Sequence, residues 1–360
     1  MGLPHTAFGR IGILLAASLV ALWAGTAAAQ TTLKVAIDGN ITGPLAPLFV
    51  AQDRGDYRAK KLDVRIDRTV PGPDALSRVD AGLADVAIAD LNAFVKFRDS
   101  KPGTPMKAVF MIYNKPPYAV IARSSRGIAK PKDLEGKRLG APAADFASTL
   151  WPLLAKINEI DRTKVKLENV ALAVREPMLA AGQVDAVIGG SLTTYIDVEE
   201  RGVPVNDLTI LLMGDYGVQL YGDAIIVNTK FAAQNPEALK AFLAAYTKAL
   251  QTTIDDPARA IAAITKRNEE AKPDTELKRL HMAVNNDIVT DEVLENGLGN
   301  VDSARLAAAI DQLAEVTNLQ AKPAPADIFD PSFLPPPSQR KIGRRPGKAE
   351  ESPKFRRFPG

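Results

Sequence analysis

The chain has 360 residues, of which 46% are hydrophobic and 24% charged, with no cysteine, two histidines and a formal net charge of +3. This is the size and composition of a globular protein of about two domains. The missing cysteines exclude a disulfide framework, a thiol nucleophile and a lipid-attachment site, and two histidines leave almost nothing for a His-based triad, a zinc cluster or a facial-triad iron site.

The first segment reads as an address. Arg10 supplies a positive flank, Ile11 to Trp23 is an apolar run shorter than a bilayer span, and Ala27 to Ala29 offers small residues for a signal peptidase ahead of Gln30. The expectation is a cleavable signal peptide over residues 1–29 and a periplasmic mature protein, with an uncleaved membrane anchor as the alternative. From there strands and helices alternate: strands over 33–37, 62–66, 86–89 and 106–112, with helices over 44–55, 74–81 and 91–98 between them. This βαβ wiring makes the pairing largely parallel. Pro116 and Pro117 in YNKPPY (113–118) break the pattern, and the chain is expected to cross there to a second lobe.

The second lobe repeats the scheme, with strands over 138–141, 166–169 and 186–188 and helices over 144–157 and 175–181. One device is written twice, as DAGLADVAIAD (80–90) and AAGQVDAVIGG (180–190): a helix tail, a glycine suited to a left-handed cap, an acid and a buried strand. A returning strand is expected within 216–228, followed by helices over 236–252, 257–266, 274–284 and 302–317 that complete and brace the first lobe. The expected domains are 30–114 with 222–338, 115–221, and a disordered basic tail over 339–360. That tail holds eight basic residues against two acids, which leaves residues 30–338 mildly acidic at about −4. A mildly acidic body argues against nucleic acid as a partner, because phosphate binding needs a basic face.

Six stretches in order carry a resemblance: LKVAIDGNITGPLAPLFVAQDRGDY (33–57), AGLADVAIAD (81–90), PKDLEGKRLGAPAADFASTL (131–150), AAGQVDAVIGG (180–190), NPEALKAFLAAYTKAL (235–250) and FLPP (333–336). Over nearly all of residues 31–338 the chain resembles the periplasmic substrate-binding proteins of ABC importers for nitrate, sulfonates, taurine and thiamine-pyrimidine precursors. The resemblance implies an α/β, two-lobed type II periplasmic binding fold with mixed sheets and a cleft between the lobes. It also implies a monomer without cofactor or metal that closes on a small molecule and delivers it to an ABC permease and its ATPase in the inner membrane.

In open α/β sheets ligands bind beyond the carboxyl ends of strands. The binding candidates are therefore Asp38, Asn40 and Thr42 after the first strand, Asp90 after the repeated strand, and Tyr113 at the crossing. On the second lobe they are Asp145, Phe146, Ser148 and Trp151 at its first helix, Ser191 and Thr193 (with Tyr195) after its repeated strand, and Tyr221 (with Asp223) on the way back. Each has a plainer reading: Asp38 and Asp90 as caps, Trp151 as core, Tyr195 as a solvated side chain. Asp145 at a helix start would repel sulfonate or nitrate, so acids with aromatic neighbours favour a flat neutral or cationic molecule such as an aminopyrimidine. A binder of sulfonate, taurine or nitrate, a sensor partner and a periplasmic enzyme remain alternatives. No phosphate loop, GxSxG elbow or HExxH helix occurs. The eukaryotic relatives that make the thiamine pyrimidine need cysteines and a histidine in their pocket, so the expected chemistry is binding without catalysis.

Overall fold

The computed structural model describes residues 30–69 and 74–343. The expected signal peptide and residues 344–360 of the basic tail lie outside these. Ten strands form two five-stranded sheets. The first sheet contains β1 (Thr31–Asp38), β2 (Leu62–Thr69), β3 (Val86–Asp90), β4 (Met106–Met111) and β10 (Asp223–Asn228), in the order β2-β1-β3-β10-β4. The second contains β5 (Tyr118–Arg123), β6 (Arg138–Gly140), β7 (Lys166–Glu168), β8 (Ala186–Gly190) and β9 (Leu208–Leu212), in the order β7-β6-β8-β5-β9. Both are mixed: β1 runs parallel to β2 and β3 while β10 is antiparallel to β3 and β4, and β6 runs parallel to β7 and β8 while β5 is antiparallel to β8 and β9. Largely parallel wiring thus holds for the βαβ halves alone.

The doubled sequence is a doubled structure. Gly82 and Gly182 take φ of +71° and +70°, the left-handed region where a side chain is strained. Each turn is closed from the next residue, by Leu83 N donating to Arg78 O (2.8 Å) and Gln183 N to Met178 O (2.9 Å). The acid then clips its strand to a neighbour. Asp85 Oδ2 accepts from Lys34 N at 2.8 Å and Asp185 Oδ2 from Arg138 N at 2.9 Å, while the acids' own amides donate to Lys34 O and Arg138 O.

Strands β5 and β9 were not expected. YAVIAR follows the double proline directly and LTILL sits between loops, so neither displays a helix on both sides to mark it as part of a βαβ unit. The helix expected over 144–157 is two pieces, Phe146–Thr149 and Trp151–Ile157, because Pro152 can begin a helix but not continue one. The strand expected within 216–228 starts only at Asp223, and the helix expected over 274–284 ends at Met282 in a π-helical turn, Ala283–Ile288.

The C-terminal helices do more than brace the first lobe. Leu306, Ala309, Ile310 and Leu313 of the Ser303–Thr317 helix share a core with Trp151 and Leu154, and Lys156 Nζ meets Glu315 at 2.7 Å. Residues 339–343 of the expected tail are ordered against the first lobe. Arg340 is buried and donates to Pro335 O (2.9 Å), Asn296 O (3.2 Å) and Leu298 O (2.8 Å), which fastens the segment beside the outer strand β4, where Asp330 N donates to Ala108 O.

Candidate functional site

Three acids meet at one edge of the first sheet. Asp38 ends β1, Asp90 ends β3, and Asp223 opens β10, which runs antiparallel and pairs Asp223 with Asp90 in register. Neutral donors hold two of them. Asp38 Oδ1 accepts from Thr69 Oγ1 (2.8 Å) and Ala75 N (3.1 Å). Asp90 caps the Leu91–Ser100 helix through Ala93 N (2.8 Å) and accepts from Tyr118 Oη (2.6 Å) and Asn92 Nδ2 (3.4 Å). None of the three forms an ion pair among the described residues. Burial therefore raises Asp38 and Asp90 above the usual carboxylate range against those hydrogen bonds, and burial plus the charges of Asp90 and Asp38 pushes Asp223 up to about 7.

Facing these acids is an aromatic pair. Tyr118 and Phe146 meet edge to face with centroids 5.4 Å apart, and Lys96 Nζ lies 5.3 Å from the Phe146 centroid. Tyr113 is nearly buried, and burial with the charges of Asp223 and Asp287 pushes its phenol well up. Ser148 Oγ is buried without a hydrogen-bond partner.

Asp145 is arranged differently. It caps the Phe146–Thr149 turn through Ala147 N (3.0 Å), but its other oxygen is ion-paired to Arg175, whose guanidinium also binds Glu176 at 2.7 Å. The repulsion of anions expected from Asp145 is thus largely cancelled within the wall itself. Gly189 permits this arrangement, since a Cβ there would stand 2.3 Å from Thr194 Oγ1 and 2.9 Å from Arg175 Nη1. Arg175 had one sequence signal: a cation at the first position of a helix opposes the dipole unless acids surround it.

Two expected binding residues lie in the core of this structure. Trp151 is 2% exposed and packs in the apolar core, having been placed one turn too far along a helix that restarts at its position. Tyr221 is fully buried; its hydroxyl donates to Glu292 Oε1 (2.8 Å) and accepts from Asp302 N (3.0 Å), and Arg305 covers its ring at 4.0 Å. Of the others, Asn40 is exposed near Arg68, Thr42 and Thr193 precede helices without capping them through their side chains, and Ser191 is buried with its amide on Pro117 O (2.7 Å). Tyr195 is buried as well, not solvated.

Both crossings between the sheets are tied together. Ile112 N and Tyr113 N donate to Asp223 O (2.8 and 3.0 Å), and Gly222 N to Tyr113 O (2.9 Å). Arg305 donates to Asn114 O (2.7 Å) on one crossing and to Leu220 O (2.9 Å) and Gln219 O (3.1 Å) on the other. At the rim, the Pro273–Met282 helix reaches across to the second lobe. Lys272 and Thr275 bind Glu200 at 3.0 and 3.2 Å, Lys278 binds Glu199 at 2.5 Å, and Arg279 donates to Leu192 O.

With this geometry in view, residues 44–260 match the family model described as NMT1/THI5 like. The chain belongs to the NMT1/THI5-like family. Its relatives include a riboflavin-binding protein, RibY, of Chloroflexus aurantiacus, 27% identical over 64% of this chain and 64% of that protein. Another is a 4-amino-5-hydroxymethyl-2-methylpyrimidine phosphate synthase of Schizosaccharomyces pombe, 26% identical over 59% and 62%. A third is a formylaminopyrimidine-binding protein of Halalkalibacterium halodurans, 24% identical over 72% and 78%. The matches thus span a little under two thirds of the first two relatives. Among solved structures, a putative periplasmic sulfonate-binding protein, SsuA, of Methylobacillus flagellatus superposes with a TM-score of 0.65 at 16% identity, covering 85% of this chain and 93% of that one. This NMT1/THI5-like chain therefore has the two-lobed α/β fold of periplasmic binding proteins.

Proposed function

We propose that the protein is the periplasmic solute-binding component of an ABC import system, and that it captures a small flat aromatic molecule, neutral or cationic, and hands it to a permease. One observation carries the reading. Three strand-end carboxyls, Asp38, Asp90 and Asp223, converge without a paired cation beside the Tyr118–Phe146 ring pair. Acceptors and stacking surface suit a ring bearing N–H donors. Relatives named for binding riboflavin and formylaminopyrimidine support this ligand class. The lobes are 30–114 with 222–338, and 115–221, closing about the two crossings as the ligand bridges them and stabilises the closed form by its differential contacts.

The reading is of a binder, although some relatives are named as synthases. The chain has no cysteine, and His281, its only histidine besides His5, lies on the rim helix with its pKa lowered by burial. One observation favours the anion alternative: Lys96 beside Phe146 would suit a sulfonate or phosphate substituent on the ligand. A thermal-shift panel of aminopyrimidines, flavins, aromatic amines, taurine, alkyl sulfonates and nitrate decides. A ligand at one hundred times its Kd adds about 2.7 kcal/mol of stability. Shifts confined to the ring compounds are expected, and shifts confined to the anions overturn the reading.

A further inference from the structure

Among the described residues, Asp287 is the only acid whose two carboxyl oxygens are both buried and without a hydrogen-bond partner. Its exposure is 0%, and it sits in the π-helical turn Ala283–Ile288. Such turns inside helices recur at functional sites, and a buried polar group left unbonded in a native fold demands an explanation.

Its backbone is anchored, since Asp287 O accepts from Lys115 N on the first crossing at 3.0 Å. Its carboxyl faces the charges of Lys115, Asp215 and Asp223, and the Tyr113 phenol senses both Asp287 and Asp223. Lys115 is already ion-paired with Asp215, so no cation is bonded to Asp287. The π-helical turn continues the helix that makes the rim contacts to Glu199, Glu200 and Leu192, so parting the lobes breaks the closure beside Asp287.

We propose that Asp287 is the deep end of the ligand site and that, with Asp223 and Tyr113, it recognises an amino-azine edge, a ring nitrogen beside an exocyclic amine. This rests on the aromatic-ligand reading above and specifies the atoms recognised. Burial, joined by the charges of Asp215 and Asp223 and opposed by that of Lys115, raises this carboxyl well above the usual range and so favours its neutral form. A neutral acid carries one O–H donor and one C=O acceptor, whereas a carboxylate only accepts. The amino-azine edge carries the complementary pair, so two hydrogen bonds form with no net transfer of a proton.

The test is calorimetric titration of 4-aminopyrimidine and of unsubstituted pyrimidine into the purified chain and into D287N and D287L. Asn keeps one donor and one acceptor in place, so D287N should bind 4-aminopyrimidine within about threefold of the parent, whereas D287L should lose about 10- to 100-fold. The Tm of D287L should stay level or rise, because an unbonded buried polar group has been removed. Pyrimidine lacks the amine but keeps the ring nitrogen, so it should bind the parent more weakly and lose less than 4-aminopyrimidine does in D287L. Equal binding of 4-aminopyrimidine by parent and D287L overturns this assignment alone, as does a Tm lowered by several degrees in both variants. A parent that binds no aminopyrimidine overturns the aromatic-ligand reading with it.

Discussion

The two lobes share a repeated device and yet charge their sides of the cleft differently. In both, a left-handed glycine and an acid clip the repeated strand to its parallel neighbour, through Asp85 on Lys34 N and Asp185 on Arg138 N. Beyond that strand the first lobe presents Asp38 and Asp90 on neutral donors and Asp223 beside them, all three with raised pKa values and none with a cation bonded to it among the described residues. The second presents Asp145 locked to Arg175, with Glu176 on the same guanidinium. A duplicated scaffold thus fixes where side chains go, and the local partners decide whether a carboxyl is available to a ligand. In the proposed site the first wall therefore carries acids without a bonded cation, while the second holds its acid in an ion pair.

The largest expected effect comes from breaking the second wall. R175M removes the one cation shared by Asp145 and the buried Glu176 and should cost roughly 3–5 kcal/mol in urea unfolding, because it leaves acids uncompensated beside the core. A loss below about 1 kcal/mol would mean the two walls are electrostatically alike. Next comes D90A. It should cost about 1–2 kcal/mol through the lost helix cap and the stranded Tyr118 hydroxyl, and should also weaken ligand binding; D38N should weaken binding with the fold intact. Ligand binding by both variants at parental strength would remove the first wall from the site.

A pH series sharpens the same contrast. An acid whose folded pKa is raised binds more protons folded than unfolded, so its contribution to stability falls as pH rises from its unfolded value near 4 towards the folded one, about 7 for Asp223. D223N should therefore flatten the decline in Tm between about pH 4 and 7. Binding of a cationic probe, which needs the ionised acids, should strengthen across that same window in the parent.

Much of the fold was legible because it is written in patterns: two βαβ units, a doubled helix–glycine–acid–strand phrase and a double proline at the crossing. What escaped was set by pairings far apart in sequence. β5 joins its sheet only through β8 and β9, and nothing in YAVIAR announces them. Asp38 and Asp90 were named by the rule about strand ends and Asp223 by its place on the returning crossover, but its register with Asp90 needed the direction of β10 to be known. Trp151 and Tyr221 read as cleft aromatics because burial cannot be told from composition, and Asp145 read as a repellent charge because Arg175 lies thirty residues on. Asp287 had no sequence signal; only its lack of partners in the folded chain marks it.

The smallest expected effect lies at the rim, where the two lobes touch through charge. Lys272 and Lys278 reach Glu200 and Glu199 from the Pro273–Met282 helix, and the hydrogen bond from Lys272 holds Glu200 below its usual range. A depressed acid contributes stability above its unfolded pKa and loses it as pH falls through the folded one. Glu200 and Lys272 are well exposed, however, and such pairs are worth no more than about 1 kcal/mol. E200Q should thus leave Tm nearly unchanged while shifting the balance of open and closed lobes, read as a faster ligand off-rate that high salt reproduces in the parent. An off-rate that neither E200Q nor salt alters would place the grip between the lobes at the acids of the first wall instead of at the rim.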